Sequence, residues 1–396
     1  MMQIQLADPD KCYGCGACSV ACPKHCISMN TNKFGEYRPV FTENDCVQCG
    51  KCMEVCPALH QPKLIRPKSV WAMSIVDDDK RRGSASGGAA RLLYEWALER
   101  DAVVFGCDFD SDHILKMRSA SSLSEIEGFR NSKYTFCRTE GAFQETKKLL
   151  DEGRSVLFIG SSCQIDALRR VIGYREERLI TVDLICHGVP PESYFREYLV
   201  RQEERLNRKI DKVYFRGEKK ENNFFLQLFS ESIVCYEKYA RLDTYYAGYV
   251  NCLMYEEKCY SCPYATKERV ADISIGDWGG DSQVADKKLS VILANTHKGC
   301  QVIESVLQQQ EIEFELHTIE EAEECNEQLR GPVARPKQYD EMRECYCENG
   351  FWTMSQKYIT PYILNYQNRR RKEYALFLLK LPFRMIKKMI RIVRKQ

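Results

Sequence analysis

No segment of the chain approaches the ~18 consecutive apolar residues that a membrane-spanning helix needs, although 44% of its 396 residues are hydrophobic. The N-terminus, Met1-Met2-Gln3-Ile4-Gln5, lacks a basic region followed by an apolar stretch, so no secretory signal is expected. Histidine is scarce, at six residues. A structural role is expected for His25, His60, His113, His187, His297 and His317, which leaves ligation and proton transfer to other side chains. Net charge is only +2, and its basic excess is confined to one end. Residues 369–396 hold eleven Lys or Arg and one Glu, a net of +10, so the remainder carries −8. That distribution, with no recognition module before it, argues against nucleic-acid binding. What the chain does not lack is cysteine, with 21 residues.

Nine of these cysteines fall within the first 56 residues, and eight form one pattern written twice. Cys12-x2-Cys15-x2-Cys18-x3-Cys22-Pro23 recurs 34 residues later as Cys46-x2-Cys49-x2-Cys52-x3-Cys56-Pro57, with a glycine after each second cysteine, Gly16 and Gly50. Three close thiolates plus a fourth before proline is the ligand run of bacterial ferredoxins, in which the fourth cysteine of each run serves the other cluster. The expected 4Fe-4S sets are therefore Cys12, Cys15, Cys18 and Cys56, and Cys46, Cys49, Cys52 and Cys22. Zinc sites favour two separated Cys-x(2–4)-Cys pairs, so iron–sulfur is preferred over a pair of zinc knuckles. Cys26 is expected to pack beside a cluster. Oxygen degrades such clusters, and the expected setting is reducing cytosol in a cell living with little of it.

Residues 1–62 thus read as a ferredoxin-like module, followed by a proline-bearing linker, His60 to Pro67. Val70–Val76 (strand), the turn Ser84-Ala85-Ser86-Gly87-Gly88, a helix at 89–99 with Leu92, Leu93, Trp96 and Ala97 on one face, and a strand at 102–106 suggest a β-α-β unit over 70–107. A second unit is clearer: strand 155–159, helix 164–172, strand 179–185. A long polar helix follows Pro190-Pro191 to about Arg208. Strands are expected at 213–215, 224–229, 232–235, 270–275, 289–294 and 312–316, with helices at 244–250 and 300–308. Past 335 the pattern dissolves into a charged, aromatic stretch. The fold class is α/β (α+β): a bacterial-ferredoxin-like module, then a larger α/β domain over 70–335 with parallel strand-helix-strand units, then an extension over 336–396.

Cys163 and Cys186 each follow the C-terminal end of a strand, and one helix joins the two strands. Parallel strands so connected end at the same sheet edge, where ligands gather in α/β sheets. The two thiols should meet there, and the N-terminal helix position of Cys163 should lower its pKa. Cys259 and Cys262, a Cys-x2-Cys pair before Pro263, bring the soft ligands to four. Three readings remain open: a third 4Fe-4S cluster, a structural zinc or a cluster recruiting Cys252, and small buried residues. The turn Ser86-Gly87-Gly88 at a helix start can cradle a phosphate, although such caps are common. Asn131-Ser132-Lys133-Tyr134 alone reads as surface.

In order along the chain, Ser86-Gly87-Gly88, Ser132-Lys133-Tyr134, Ser161-Ser162-Cys163-Gln164-Ile165, Asp183-Leu184-Ile185-Cys186-His187-Gly188-Val189-Pro190, Cys259-Tyr260-Ser261-Cys262-Pro263 and Asp272-Ile273-Ser274-Ile275-Gly276-Asp277 resemble the coenzyme F420 hydrogenase/dehydrogenase beta-subunit family, here behind a two-cluster ferredoxin module. The resemblance implies FAD, further iron–sulfur chemistry, and hydride exchange with coenzyme F420 as substrate. It makes Ser86, Gly87, Gly88 and Lys133 candidates for the flavin or its phosphates. Two departures, Tyr255-Glu256-Glu257-Lys258 and Gly276-Asp277-Trp278-Gly279-Gly280, are expected near the substrate or cofactor pocket and count against coenzyme F420. Relatives with this layout accompany surface-polysaccharide genes, which implies a redox step on a glycan precursor. The expected function is a cytoplasmic iron–sulfur, flavin-dependent oxidoreductase that couples one-electron transfer to hydride chemistry. Its partner would be ferredoxin or another redox subunit. The alternative is a non-catalytic subunit that relays electrons to a partner enzyme.

The tail alternates Leu376, Phe377, Leu379, Phe383, Ile386, Ile390 and Val393 with Lys380, Arg384, Lys387, Lys388, Arg391 and Arg394. This basic amphipathic pattern suits the anionic inner face of a membrane; the alternative is a helix docked on the body or a partner. Flotation with anionic liposomes should lose the protein when residues 369–396 are removed, and equal flotation of both forms would end the idea.

Overall fold

The computed structural model describes residues 4–43, 45–219, 222–280, 288–308 and 311–380. The N-terminal module consists of α1 (Ala17–Ala21), the antiparallel hairpin β1 (Ile27–Thr31) and β2 (Tyr37–Phe41), and α2 (Lys51–Glu54). Gly16 and Gly50 hold left-handed φ values of 71° and 76° immediately before α1 and α2. The repeated glycine is thus one backbone turn made twice, at a φ that a β-carbon disfavours.

The body runs through β3 (Ser69–Ile75), α3 (Asp78–Arg81), α4 (Ala89–Leu98), β4 (Val103–Phe109), β5 (Leu115–Ala120), α5 (Glu140–Asp151), β6 (Val156–Ser161), α6 (Ser162–Ile172), β7 (Leu179–Leu184) and α7 (Glu192–Leu206). After it come β8 (Lys212–Lys219), β9 (Asn222–Ser230), β10 (Ile233–Tyr239) and α8 (Thr244–Val250). The chain returns with β11 (Ile273–Trp278), β12 (Leu289–Ala294), α9 (His297–Leu307), β13 (Ile312–His317) and α10 (Ile319–Cys325), and ends in α11 (Tyr339–Tyr358) and α12 (Thr360–Lys380). Among the described residues, eight strands form one mixed sheet in the order β13-β3-β12-β11-β7-β6-β4-β5, and β10-β9-β8 form a separate antiparallel sheet.

The unit β6-α6-β7 folds as its sequence suggests, with adjacent parallel strands, and β4 and β11 extend the parallel set on either side. The unit expected over 70–107 is different. Its strands form, but β12, β11, β7 and β6 lie between β3 and β4, because the later strand β12 pairs antiparallel with β3. The apolar face of α4 is buried as the helical period requires, through Leu92, Leu93, Trp96 and Ala97. Beyond residue 335 the structure also departs from expectation. Tyr339, Met342, Tyr346, Phe351, Met354 and Tyr358 of α11 join an aromatic core with α7 and α8. Gly350, at φ 74° and ψ 178°, breaks the helix in the middle, so no single 3.6-residue period runs through it. Of the basic tail, Leu376 and Phe377 are exposed on α12, and residues 381–396 lie outside the described residues. No described helix is long and apolar enough to cross a membrane.

Gly87 presses its turn against the sheet. A β-carbon there would collide with the Met73 carbonyl oxygen and lie 2.6 Å from the Ser290 amide nitrogen, and the Ile75 amide donates to the Gly87 carbonyl at 2.9 Å. Gly87→Ala must lift the turn from β3 and should lower stability by about 1–3 kcal/mol. An unchanged denaturation midpoint would contradict this packing.

Candidate iron-sulfur and cofactor site

The two cysteine runs cross over in space. Cys12, Cys15, Cys18 and Cys56, together with Cys52, line one cavity. Cys22, Cys46, Cys49 and Cys52, with Cys26, line a second. Each run also directs a backbone amide at its first sulfur, Gly14 N–H to Cys12 Sγ and Gln48 N–H to Cys46 Sγ, both at 3.4 Å. Burial, and then the neighbouring Cys12 and Cys56, push the Cys18 thiol up to about 12. Crowded thiols of this kind resist ionisation until a metal takes the charge. The donor set is all sulfur, which suits iron–sulfur clusters. Among the described residues no three His, Cys, Asp or Glu side chains converge as they would around a single ion; these sulfurs instead ring two cavities.

Cys163, Cys186, Cys259 and Cys262 come together at the C-terminal edge of β6 and β7. Cys163 lies in the first turn of α6, Cys186 follows β7, and Cys259 sits in a short 3-10 turn that Cys262 closes. Each feels the charge of others in the set: Cys186 that of Cys163 and Cys262, Cys259 that of Cys186 and Cys262. The expected lowering of the Cys163 pKa is not found. Burial pushes this thiol up and outweighs the Ser161 hydroxyl and the Lys258 ammonium. Cys252 faces Tyr255 and Glu327 rather than this set. Fully buried Arg269 braces the edge, donating to Ser162 Oγ at 2.9 Å, to Asp183 Oδ2 at 3.0 Å and to the Tyr264 carbonyl at 3.1 Å.

A buried ionic node fixes the module against this edge. Arg38 of β2 reaches Glu256 at 2.8 Å. Glu256 also pairs with Lys258, whose Nζ donates to the Tyr13 carbonyl at 2.9 Å. The Tyr13 ring packs edge-on against Tyr264 at 5.6 Å, and its hydroxyl feels Cys163, Cys262 and Cys259. Two of the residues that depart from the family pattern, Glu256 and Lys258, therefore dock the N-terminal module.

The other motifs meet at a residue that no sequence motif singles out, Arg216 of β8. Its guanidinium donates to the Ala85 carbonyl and Asp277 Oδ2, both at 2.9 Å, and to Tyr134 Oη at 3.0 Å. Its backbone exchanges hydrogen bonds with the Asn131 side chain. Ser86 Oγ lies 2.8 Å from Ser290 Oγ. Lys133 Nζ donates to the Arg130 carbonyl at 2.8 Å and faces Cys107, Asp108 and Cys137. Gly87 and Gly88 are explained in part by packing against β3, and His187 is exposed. A lone arginine on a strand carries no pattern, which is why Arg216 is visible only in three dimensions.

Glu256 is fully buried; desolvation opposes its ionisation, but Lys258 and Arg38 hold its pKa below the ordinary carboxylate value. Its contribution to stability is therefore present at neutral pH and lost as pH falls through the depressed value. Glu256→Gln leaves buried Lys258 without a counter-charge, while Arg38 keeps Glu36 at 3.3 Å, and should cost about 3–5 kcal/mol, seen as a lowered unfolding midpoint at pH 7. An unchanged midpoint would remove the node from the docking interface.

Residues 153–320 match the family model for the C terminus of the coenzyme F420 hydrogenase/dehydrogenase beta subunit, and residues 11–59 match that for a 4Fe-4S dicluster domain. Cys163, Cys186, Cys259 and Cys262 lie inside the first match; Ser86, Gly87, Gly88 and Lys133 lie outside both. Among solved structures, a chain of the F420-reducing NiFe hydrogenase complex from Methanosarcina barkeri is 17% identical, with a match covering 75% of this chain and 93% of that chain at a TM-score of 0.40. A likeness of that size carries no functional argument. The two family matches describe an iron–sulfur electron-transfer protein of oxidoreductase type. Residues 153–320 thus resemble the C terminus of the coenzyme F420 hydrogenase/dehydrogenase beta subunit, and residues 11–59 ahead of them match a 4Fe-4S dicluster domain.

Proposed function

We propose that the protein is an iron–sulfur flavoprotein oxidoreductase that exchanges single electrons with a partner and hydride equivalents with a small substrate. Cys12, Cys15, Cys18 and Cys56 hold one cluster and Cys46, Cys49, Cys52 and Cys22 the second; Cys163, Cys186, Cys259 and Cys262 hold a third. FAD lies at the turn Ser86-Gly87-Gly88 with Lys133 beside it. The observation that carries this reading is the convergence on Arg216 of that turn, the Asn131–Tyr134 segment and Asp277.

A flavin bound there would interconvert one-electron and two-electron chemistry. The chain's own part is to hold it. The α4 N-terminus offers amide N–H groups to a phosphate, Lys133 offers a cation, and Arg216 locks the surrounding segments. Cys49 is exposed whereas Cys12 and Cys15 are buried. A redox partner, a ferredoxin or another subunit, therefore docks at the Cys46–Cys49 end, while the Cys12–Cys15 end faces the body. The hydride partner is a glycan precursor or coenzyme F420, and the exposed face of α12 with its basic residues holds the protein at the inner membrane surface.

Anaerobic purification, iron analysis and flavin release test the proposal together. The expected result is about twelve irons per chain with stoichiometric FAD, falling by about four in Cys186→Ser. About eight irons in the unaltered protein would remove the third cluster. Full clusters with neither bound nor bindable flavin would instead make the protein a relay that passes electrons to a partner enzyme.

A further inference from the structure

Arg269 belongs to none of the motifs, yet its guanidinium hydrogen-bonds all three segments that carry Cys163, Cys186 and the Cys259–Cys262 pair. Nη2 donates to Ser162 Oγ at 2.9 Å, one residue before Cys163. The same nitrogen donates to Asp183 Oδ2 at 3.0 Å and to the Leu184 carbonyl at 3.3 Å, at the end of the strand that leads into Cys186. Nη1 donates to the carbonyls of Tyr264 and Thr266, at 3.1 and 3.0 Å, directly after Cys262-Pro263. Nε donates to Ser274 Oγ of β11 at 3.1 Å. The arginine is 1% exposed and Asp183 0%. The Arg269 backbone is held separately, by hydrogen bonds of 2.7 and 2.8 Å exchanged with Ile65 in the linker that follows residues 11–59.

A guanidinium is a rigid planar fork that keeps its charge even when buried. One such fork spanning three segments fixes the spacing of the cysteines they carry. We propose that Arg269 is the positioning residue of the third cysteine set, and that the Arg269–Asp183 pair sets the reduction potential of the cluster held there. The proposal rests on the reading that Cys163, Cys186, Cys259 and Cys262 hold a 4Fe-4S cluster. In such a group four thiolates outweigh the charge of the core, the sum is negative, and reduction makes it more so. Surrounding charge is among the factors that set its potential. Arg269 stabilises the reduced form and raises the potential; its counter-ion Asp183 opposes that effect. Asp183 Oδ1 has no hydrogen-bond partner among the described residues, so this carboxylate acts on the site mainly as a charge. The field of the arginine reaches the sulfurs: burial pushes the Cys186 and Cys262 thiols up, and Arg269 opposes the rise in both.

The experiment compares the full-length, anaerobically purified protein with Asp183→Asn and Arg269→Lys. Each is taken through iron analysis and a redox titration followed by electron paramagnetic resonance, with the clusters of residues 11–59 as the internal standard. Asp183→Asn keeps an oxygen acceptor for the guanidinium and removes only the negative charge. Its third-cluster midpoint should rise by about tenfold in the reduced-to-oxidised ratio at fixed poise, or about 59 mV for one electron, with the other two midpoints unmoved. Arg269→Lys keeps the charge and loses the fork. Its iron should fall from about twelve per chain toward about eight, while the two N-terminal clusters keep their signals. A third midpoint that stays or falls in Asp183→Asn would overturn the proposal, as would an Arg269→Lys protein with full iron and an unaltered third-cluster signal. Either result, with about twelve irons in the unaltered protein, would remove the role of Arg269 and leave the third cluster standing. About eight irons in the unaltered protein would remove both together.

Discussion

The structure depends most on the buried group formed by Arg38, Glu256 and Lys258. Two cations share one carboxylate out of contact with water, and one of them, Lys258, also reaches the Tyr13 carbonyl. Buried ion pairs add little net stability over apolar packing, but breaking one is costly, so they fix geometry more than they add affinity. Here the geometry fixed is that of residues 12–56 against the sheet edge bearing Cys163 and Cys186. Other contacts reinforce the same interface. Tyr37 Oη donates to Glu140 at 2.6 Å, and Arg138 grips Glu192 through two hydrogen bonds of 2.6 Å while its guanidinium lies 4.1 Å from the Tyr37 ring centre. Electron transfer depends steeply on separation, so an interface held by directional, charge-specific contacts suits a redox protein better than a sliding apolar one.

The parallel set β4-β6-β7-β11 then determines which residues meet. Four strands ending at one edge bring together Cys107, Cys163, Cys186 and Asp277, although 170 positions separate the first from the last. The sheet of β8 to β10 adds Arg216 from one side and the turn before α4 adds Ala85 from the other. Nothing in the local sequence of any one segment contains this arrangement. It arises because the connections between these strands return the chain to run in the same direction.

This separation of local from long-range information explains what could be read in advance. The cysteine runs are legible because their spacing is itself the motif, and β6-α6-β7 is legible because one helix between two apolar runs admits one arrangement. The placement of β12 beside β3 is not legible, since it pairs segments more than two hundred residues apart. The helices beyond residue 335 are hidden by Gly350, which resets the buried face of α11 halfway along. The Cys163 pKa departs from expectation because a helix terminus acts over a single turn and the desolvation of this half-buried thiol outweighs it. The motif departures at Glu256 and Lys258 resemble changes to a pocket when taken as sequence alone. In three dimensions both side chains contact the N-terminal module.

Residues 11–59 present a graded surface to the rest of the molecule. Cys12 and Cys15 are buried toward the body and Cys49 is open to solvent, although the two runs share one cysteine spacing. Solvent exposure and hydrogen bonds to sulfur are among the factors that set the potential of an iron–sulfur group. Both runs direct an amide at their first sulfur at the same 3.4 Å, so that contribution is matched. The Cys22 sulfur accepts a further amide hydrogen bond from Cys26 at 3.3 Å. Near-equal ligand runs are thereby made unequal by docking: Cys12 and Cys15 are buried and Cys49 is exposed. The asymmetry that gives electron flow a path through this chain comes from where the repeat sits, and the node at Glu256 holds it there.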